Sequence, residues 1–474
     1  MSQGVPALDG FHPRIAQWFL RSVGRPTDVQ EKAWPAIARG AHVLVSAPTG
    51  TGKTLAAFLW GIDRLVTGAL LPGKVRILYI SPLKALNNDI QRNLLGPLSA
   101  LADDFRAAGE SMPAIRVLTR SGDTPASDRR RMLRAPPEIL ITTPESLNLI
   151  LSSASGRLML DGVTTVILDE IHAVAATKRG THLMSGVDRL ALFAGEFQRI
   201  ALSATVKPLS AVADLVGGYA LERTDRERTD RERAGREAMY RKRQVQIVSC
   251  PLAKAYDLRI SFPAAEAQAG APAVSEGDTR ASAVTVGDTR ARAPRPSPAE
   301  EPVFDAIAQR CRSIIEANRS TLFFVNSRRH AEKLARFINE GLPEPVAWAH
   351  HGSLSRELRL VVERRLKAGE LKAIVATSSL ELGIDIGALD QVVLVQTPFT
   401  VASTVQRLGR AGHRVGETSR GVLLPLHGKD IVDAAVTARA GHRGDRARGL
   451  PARRPGAGPR VHDRGGDVED RRAV

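Results

Sequence analysis

Cysteine is nearly missing from this 474-residue sequence: only Cys250 and Cys311 occur. They form no CxxC spacing and no histidine stands beside them as a zinc site requires, so a disulfide framework and a Cys/His metal centre are both set aside. Aromatic residues make up 4% of the chain, which leaves stacking on aromatic rings no dominant part in holding a ligand. No run of about 18 apolar residues occurs, and the N-terminus MSQGVPALDGFHP lacks a charged stretch followed by an apolar one. The default expectation is a soluble cytoplasmic protein with no membrane partner. Acidic residues are also in deficit, 50 against 67 Lys and Arg, for a formal charge of +17. That excess points to a polyanion such as nucleic acid. Roughly half of it sits in low-complexity stretches and the tail, leaving about +8 on the folded part, so charge alone does not assign a function.

The length suggests roughly two or three domains. From Val43 to Thr205 short runs (VLVS, VRILYI, ILIT, VTTVILDE, RIALS) alternate with helical patterns. They are apolar on consecutive positions, as in strands buried on both faces of a mostly parallel sheet. TLFFV, the VAW run, KAIVAT, QVVLV and GVLL repeat the scheme between Ser320 and Leu424. The expected fold is therefore α/β, with two tandem domains at 1–220 and 301–437. Between them, 221–300 reads as an insertion and linker. It holds two duplications, RTDRE at Arg223 and Arg228 and GDTRA at Gly277 and Gly287, that cannot bury a core and are expected to be disordered. QVQIVSCP and YDLRISFP, lying between the duplications, have strand character and are expected in the folded body. The stretch 438–474 has no aromatic residue, no isoleucine and no period. It reads either as a basic nucleic-acid-binding tail or, as its chance-like Arg, Gly, Pro and Ala favour, as out-of-frame translation of a GC-rich gene whose natural product continues further.

The sharpest local signal is SAPTGTGKT, Ser46 to Thr54, after the VLVS strand and before the apolar helix LAAFLWGIDRLV. Backbone N–H groups around Thr49, Gly50, Thr51 and Gly52 suit phosphates, Lys53 suits the β and γ phosphates, and the Thr54 hydroxyl suits Mg²⁺ at a helix N-terminus. The pattern's first glycine is Ala47 here. A paired acid after a strand is by itself a common solvated loop. Following a phosphate loop, however, VTTVILDEIH assigns Asp169 to Mg²⁺ and Glu170 to the attacking water.

With GKT, DEIH and the SAT of Ser203 to Thr205 in order, the sequence resembles the superfamily 2 DEAD/DEAH-box helicases from roughly Phe11 to Leu424. Within them it looks most like the large helicase-related (Lhr) group, through APTGTGKTLAAFLW, SPLKALNNDI, KRGTHL, TSSLELGIDIG and QRLGRAGHRVG. The resemblance implies two RecA-like domains with ATP and Mg²⁺ in the cleft between them. It implies that Gln30 of PTDVQ reads adenine, with Thr27 and an aromatic such as Phe19 nearby. It places Gly383 and Asp385 on the nucleotide, Arg410 as an arginine finger across the cleft with His413 or Arg414 assisting, and Ser203 and Thr205 as couplers of ATP state to domain closure.

The family's strand-binding segments match as SPLKAL, TRSGD, TTPESL, FVNSR and HHGSLS. Lys84, Arg120, Thr143, Arg328, Gly352 and Thr377, with Ser378 beside it, are then expected on the nucleic acid. Such turns grip backbone rather than base edges, so binding should depend on salt and little on sequence. The resemblance further implies 3′ to 5′ travel on single-stranded DNA and displacement of a strand from duplex DNA or an RNA:DNA hybrid. An RNA helicase and a strand-stimulated ATPase that does not unwind remain alternatives.

Overall fold

The computed structural model describes residues 5–48, 50–82, 84–204, 206–222, 239–250, 256–262, 301–381, 389–412 and 418–442. In the first half the chain runs through α1 (Pro13–Ser22), α2 (Asp28–Ala38), β1 (His42–Ser46), α3 (Lys53–Val66), β2 (Ile77–Ile80), α4 (Lys84–Ala107), β3 (Val117–Arg120), α5 (Ala126–Arg134) and β4 (Ile139–Thr142). It continues through α6 (Pro144–Leu151), α7 (Ala154–Leu160), β5 (Thr165–Leu168), α8 (Lys178–Ala194), β6 (Gln198–Ser203), α9 (Leu209–Gly217), the hairpin strands β7 (Tyr219–Glu222) and β8 (Met239–Lys242), and β9 (Val245–Ser249). The second half is β10 (Tyr256–Ile260), α10 (Glu301–Ala317), β11 (Thr321–Phe324), α11 (Arg328–Asn339), β12 (Ala347–His350), α12 (Arg356–Lys367), β13 (Ala373–Ala376), β14 (Gln391–Val395), α13 (Val401–Leu408), β15 (Ser419–Leu424) and α14 (Gly428–His442).

Two parallel sheets result, of order β3-β4-β2-β5-β6-β1-β9 and β10-β15-β14-β11-β13-β12. The unbroken apolar runs have their cause here. Side chains alternate between faces, and both faces are covered. Val43 and Val45 of β1 enter one core with Ile77 and Tyr79, while Leu44 enters the other with Leu78 and Ile80. The second sheet divides likewise, Phe323 and Val375 on one side, Leu322, Phe324 and Ile374 on the other. These are two RecA-like α/β domains, as the strand runs predicted.

The boundaries differ from the expected ones. β9 pairs with β1 at the edge of the first sheet and β10 with β15 at the edge of the second. The stretch given to the linker thus supplies one strand to each domain. Both duplications lie outside the described residues, as does everything beyond residue 442, and α14 runs past the 437 boundary to His442. Both cysteines are free and buried, and burial pushes the Cys250 thiol up to about 11.

Candidate nucleotide and nucleic-acid sites

Order in the first sheet sorts its strand ends into two groups. The carboxyl ends of β5, β6 and β1 are neighbours and carry the Asp169–Glu170 pair, Ser203 and the phosphate loop. Those of β3, β4 and β2 carry the turns expected to grip a strand. Crevices outside the carboxyl ends of such a sheet are where ligands bind in open α/β folds.

After β1 the chain turns on Gly50 (φ 80°) and Gly52 (φ 83°), the left-handed region that glycine enters without strain. Gly52 caps α3, and a Cβ there would stand 2.6 Å from Gln30 Nε2. Thr27 Oγ1 donates to Thr51 O at 2.8 Å and Thr51 Oγ1 to Pro48 O at 2.8 Å, so the loop is braced from inside. Lys53 folds back to donate to Ala47 O and Pro48 O, both at 2.7 Å. Burial lowers its pKa, opposed by Glu170 and Asp169. Those two carbonyls hold the ammonium where a phosphate would compete for it.

Asp169 and Glu170 close the other side. Tyr79, at the neighbouring strand β2, donates its hydroxyl to Asp169 Oδ2, and the Glu170 N–H donates to Oδ1 at 2.8 Å. Burial, then the neighbouring Glu170 charge, lifts Asp169 to about 6 despite those donors; burial also raises Glu170, against Lys53 and Arg410. Two buried acids beside a lysine that is turned toward carbonyls have the chemistry to take a divalent cation, for which Asp169 and the Thr54 hydroxyl would be the donors. Glu170 occupies the left-handed region (φ 47°), a placement that costs a non-glycine residue about 1–3 kcal/mol and is characteristic of functional sites.

His172 accepts the Ala204 N–H on Nδ1 at 3.1 Å, and burial holds the ring neutral, its pKa lowered to about 4. Its 3.4 Å approach to Glu170 Oε2 is therefore not an ion pair. Through this ring the acid pair meets the SAT segment, where Ser203 is fully buried and donates to Ala204 O at 2.7 Å.

Arg410 follows α13 in the second domain. It is 4% exposed, donates through Nε (3.2 Å) and Nη2 (2.9 Å) to Glu381 O, and lies close enough that its charge lowers the Glu170 carboxyl. The finger candidate thus shares the cleft with the acid pair of the first domain.

Along the expected strand track, Arg120 ends β3 with Nη1 buried and without a hydrogen-bond partner among the described residues, and burial, aided by Arg129, lowers its pKa. A cation left uncompensated in this way suits a phosphate. Arg328 Nη1 reaches Ser353 Oγ at 2.5 Å, tying the turn after β11 to the one after β12, where Gly352 has open space beside it. Thr377 donates its N–H to His350 O at 3.2 Å between them, and Ser378 opens the following 3₁₀ turn.

The DEAD/DEAH box helicase family matches residues 27–214, and the helicase conserved C-terminal domain matches residues 306–415. The Lhr helicase/probable uracil glycosylase of Mycolicibacterium smegmatis is 40% identical over 94% of this chain, and ATP-dependent helicase Lhr-Core protein 2 of Thermococcus barophilus is 39% identical over 90%. The chain belongs to the Lhr helicases. It spans 28% and 44% of the length of those two relatives. The solved structure of Mycobacterium smegmatis helicase Lhr bound to ssDNA and AMP-PNP superposes with a TM-score of 0.75 at 42% identity, covering 93% of this chain and 51% of that one. Mss116p bound to ssRNA and AMP-PNP shares the fold, with a TM-score of 0.63 at 16% identity.

Three residues expected at the Lhr sites stand elsewhere or are already engaged. Phe19 is fully buried with its ring edge-on to Trp34, centroids 5.3 Å apart, so it is a core residue and presents no face to a base. Gln30 is buried, its Oε1 accepting from Thr27 N at 2.9 Å and its Nε2 donating to Gly52 O at 3.4 Å, which makes it a support of the phosphate loop. Thr143 is buried and caps α6, accepting from Ser146 N at 3.3 Å. Thr49, Thr205, Gly383, Asp385, His413, Arg414 and the Lys84 side chain lie outside the described residues. Sequence reading passed over Tyr79, His172, Asn326, Glu381 and Arg407. His172 was within reach as the last letter of DEIH; Tyr79 carried no local signal, since its partner is 90 residues away.

Proposed function

We propose that this chain hydrolyses ATP in the cleft between its two RecA-like domains and uses the cycle to move 3′ to 5′ along single-stranded DNA, displacing the paired strand of a duplex or RNA:DNA hybrid. The observation that carries the hydrolysis is the convergence of Lys53, Asp169 and Glu170 from one domain with Arg410 from the other. Glu170, its carboxyl poised by burial, orients a water and takes its proton as the water oxygen bonds to the γ-phosphorus and the bond to ADP breaks. Lys53 leaves the two carbonyls for the β and γ oxygens, and Arg410 meets the charge that develops. Asp169 and Thr54 would hold Mg²⁺, which would supply neutralisation of phosphate charge. Gripping turns on both domains then change spacing as the cleft closes and opens. The ssDNA in the structure of the Mycobacterium smegmatis relative supports the choice of track.

A second reading is hydrolysis stimulated by a strand, without displacement. ATPase assays with and without single-stranded DNA, run beside displacement of 3′-tailed and 5′-tailed duplexes, separate the two. Lys53→Ala should abolish hydrolysis, and Glu170→Gln should leave ATP bound on a tightly held strand. Normal turnover by Glu170→Gln would remove Glu170 from its role.

A further inference from the structure

Of the three arginines in QRLGRAGHR, the described residues include two, Arg407 and Arg410, which differ in their partners. Arg410, just past α13, gives its guanidinium to the Glu381 backbone carbonyl. Arg407, one turn earlier on α13, turns inward and is 5% exposed. Its Nε donates to Glu381 Oε2 at 2.9 Å, its Nη1 to Asn326 Oδ1 at 3.2 Å, and its guanidinium lies 5.2 Å from the Phe324 ring centroid. Its own carbonyl accepts the Arg410 N–H at 3.1 Å. Glu381, 9% exposed, uses its carboxylate on Arg407 and its backbone carbonyl on the Arg410 guanidinium. Asn326 completes the arrangement, its amide donating to Thr397 O at 3.0 Å. Loops leaving β11, β13 and β14 are thus tied to one guanidinium, and the β11 loop is the one that carries Arg328.

We infer that the buried Arg407–Glu381 ion pair is a strut that positions the arginine finger Arg410 and connects it to the strand-gripping turn at Asn326–Arg328. The pair fixes Glu381, whose carbonyl then fixes the angle of the Arg410 fork. Because the same guanidinium bonds Asn326, a strand seated at that turn bears on the finger through three successive links, Asn326 to Arg407, Arg407 to Glu381 and Glu381 to Arg410. Lysine cannot replace Arg407, since one ammonium on a flexible stem does not hold Glu381 and Asn326 in a fixed plane. Arg407 and Glu381 are positioning residues; neither need touch ATP. The inference rests on Arg410 acting as the finger.

The test compares Glu381→Ala, Glu381→Gln and Arg407→Lys with the wild-type chain in ATP hydrolysis, with and without single-stranded DNA, and in amide exchange. Glu381→Ala should lower kcat about thirtyfold with KM for ATP changed less than threefold, a split that general loss of folded protein does not produce. Glu381→Gln keeps an oxygen for Arg407 and should lose about tenfold. Arg407→Lys should lose most of the stimulation by the strand. Exchange should quicken at 407–411 and 326–328 together, leaving the first domain unchanged. A Glu381→Ala kcat within threefold of wild type, or unaltered exchange around Asn326, overturns the strut; if that variant does not fold, Glu381→Gln is judged by the same two criteria. Should the wild type fail to hydrolyse ATP, the proposed function falls, and the exchange data still decide the strut.

Discussion

Tyr79→Phe isolates one hydrogen bond. The Tyr79 side chain is fully buried and stacked on Phe58 with centroids 5.3 Å apart, so removing its hydroxyl leaves ring packing in place. What disappears is the donor to the Asp169 carboxylate, a bond to the ionised form that holds the pKa of Asp169 down against burial. A hydrogen bond to a charged group is worth about 1.5–3 kcal/mol, and one pKa unit corresponds to about 1.4 kcal/mol. Asp169 should therefore rise from about 6 by roughly one to two units. If Asp169 must be ionised to hold the metal, the acid limb of kcat/KM for ATP moves up with it. For a shift of about 1.5 units the variant should be roughly eightfold slower at pH 6.5 and nearly equal to wild type at pH 9. Without nucleotide the sign for stability follows from the same shift. Asp169 is raised above its unfolded value, so its contribution is present at low pH and is lost as pH rises through about 6; in the variant that loss extends to higher pH. Steady-state hydrolysis between pH 5.5 and 9 measures the first effect. A loss equal at both ends of the range, or no shift of the acid limb, would refute the titration argument.

Gly52→Ala should destabilise the phosphate loop by about 1–2 kcal/mol from the positive φ alone, with further displacement of Gln30, whose Nε2 a Cβ would meet at 2.6 Å; nucleotide-binding titration and thermal unfolding check both. Arg120→Ala should weaken single-strand binding alike for all sequences and reduce the slope of log K against log salt by about 0.7; a variant with the wild-type salt slope would remove Arg120 from the phosphate track.

The sequence by itself determined what is local. A strand, a glycine turn and a helix N-terminus are contiguous in Ser46–Thr54, so the phosphate loop and its lysine could be read from one string; the same holds for Asp169 and Glu170 at the end of a strand. Unbroken apolar runs gave the parallel sheets, since a strand covered on both faces has no polar side to alternate with. Tertiary structure decided what depends on neighbours far along the chain. Whether an aromatic faces a base or a core is a matter of what packs on it, and Phe19 packs on Trp34. Strand addition at a sheet edge depends on the register of a distant partner, which is why β9 and β10 carried no sign of belonging to different domains. The Arg407–Asn326 bond spans 81 positions. Which arginine of QRLGRAGHR takes the Glu381 carboxylate and which its backbone carbonyl was settled only when β11, β13 and β14 lay side by side.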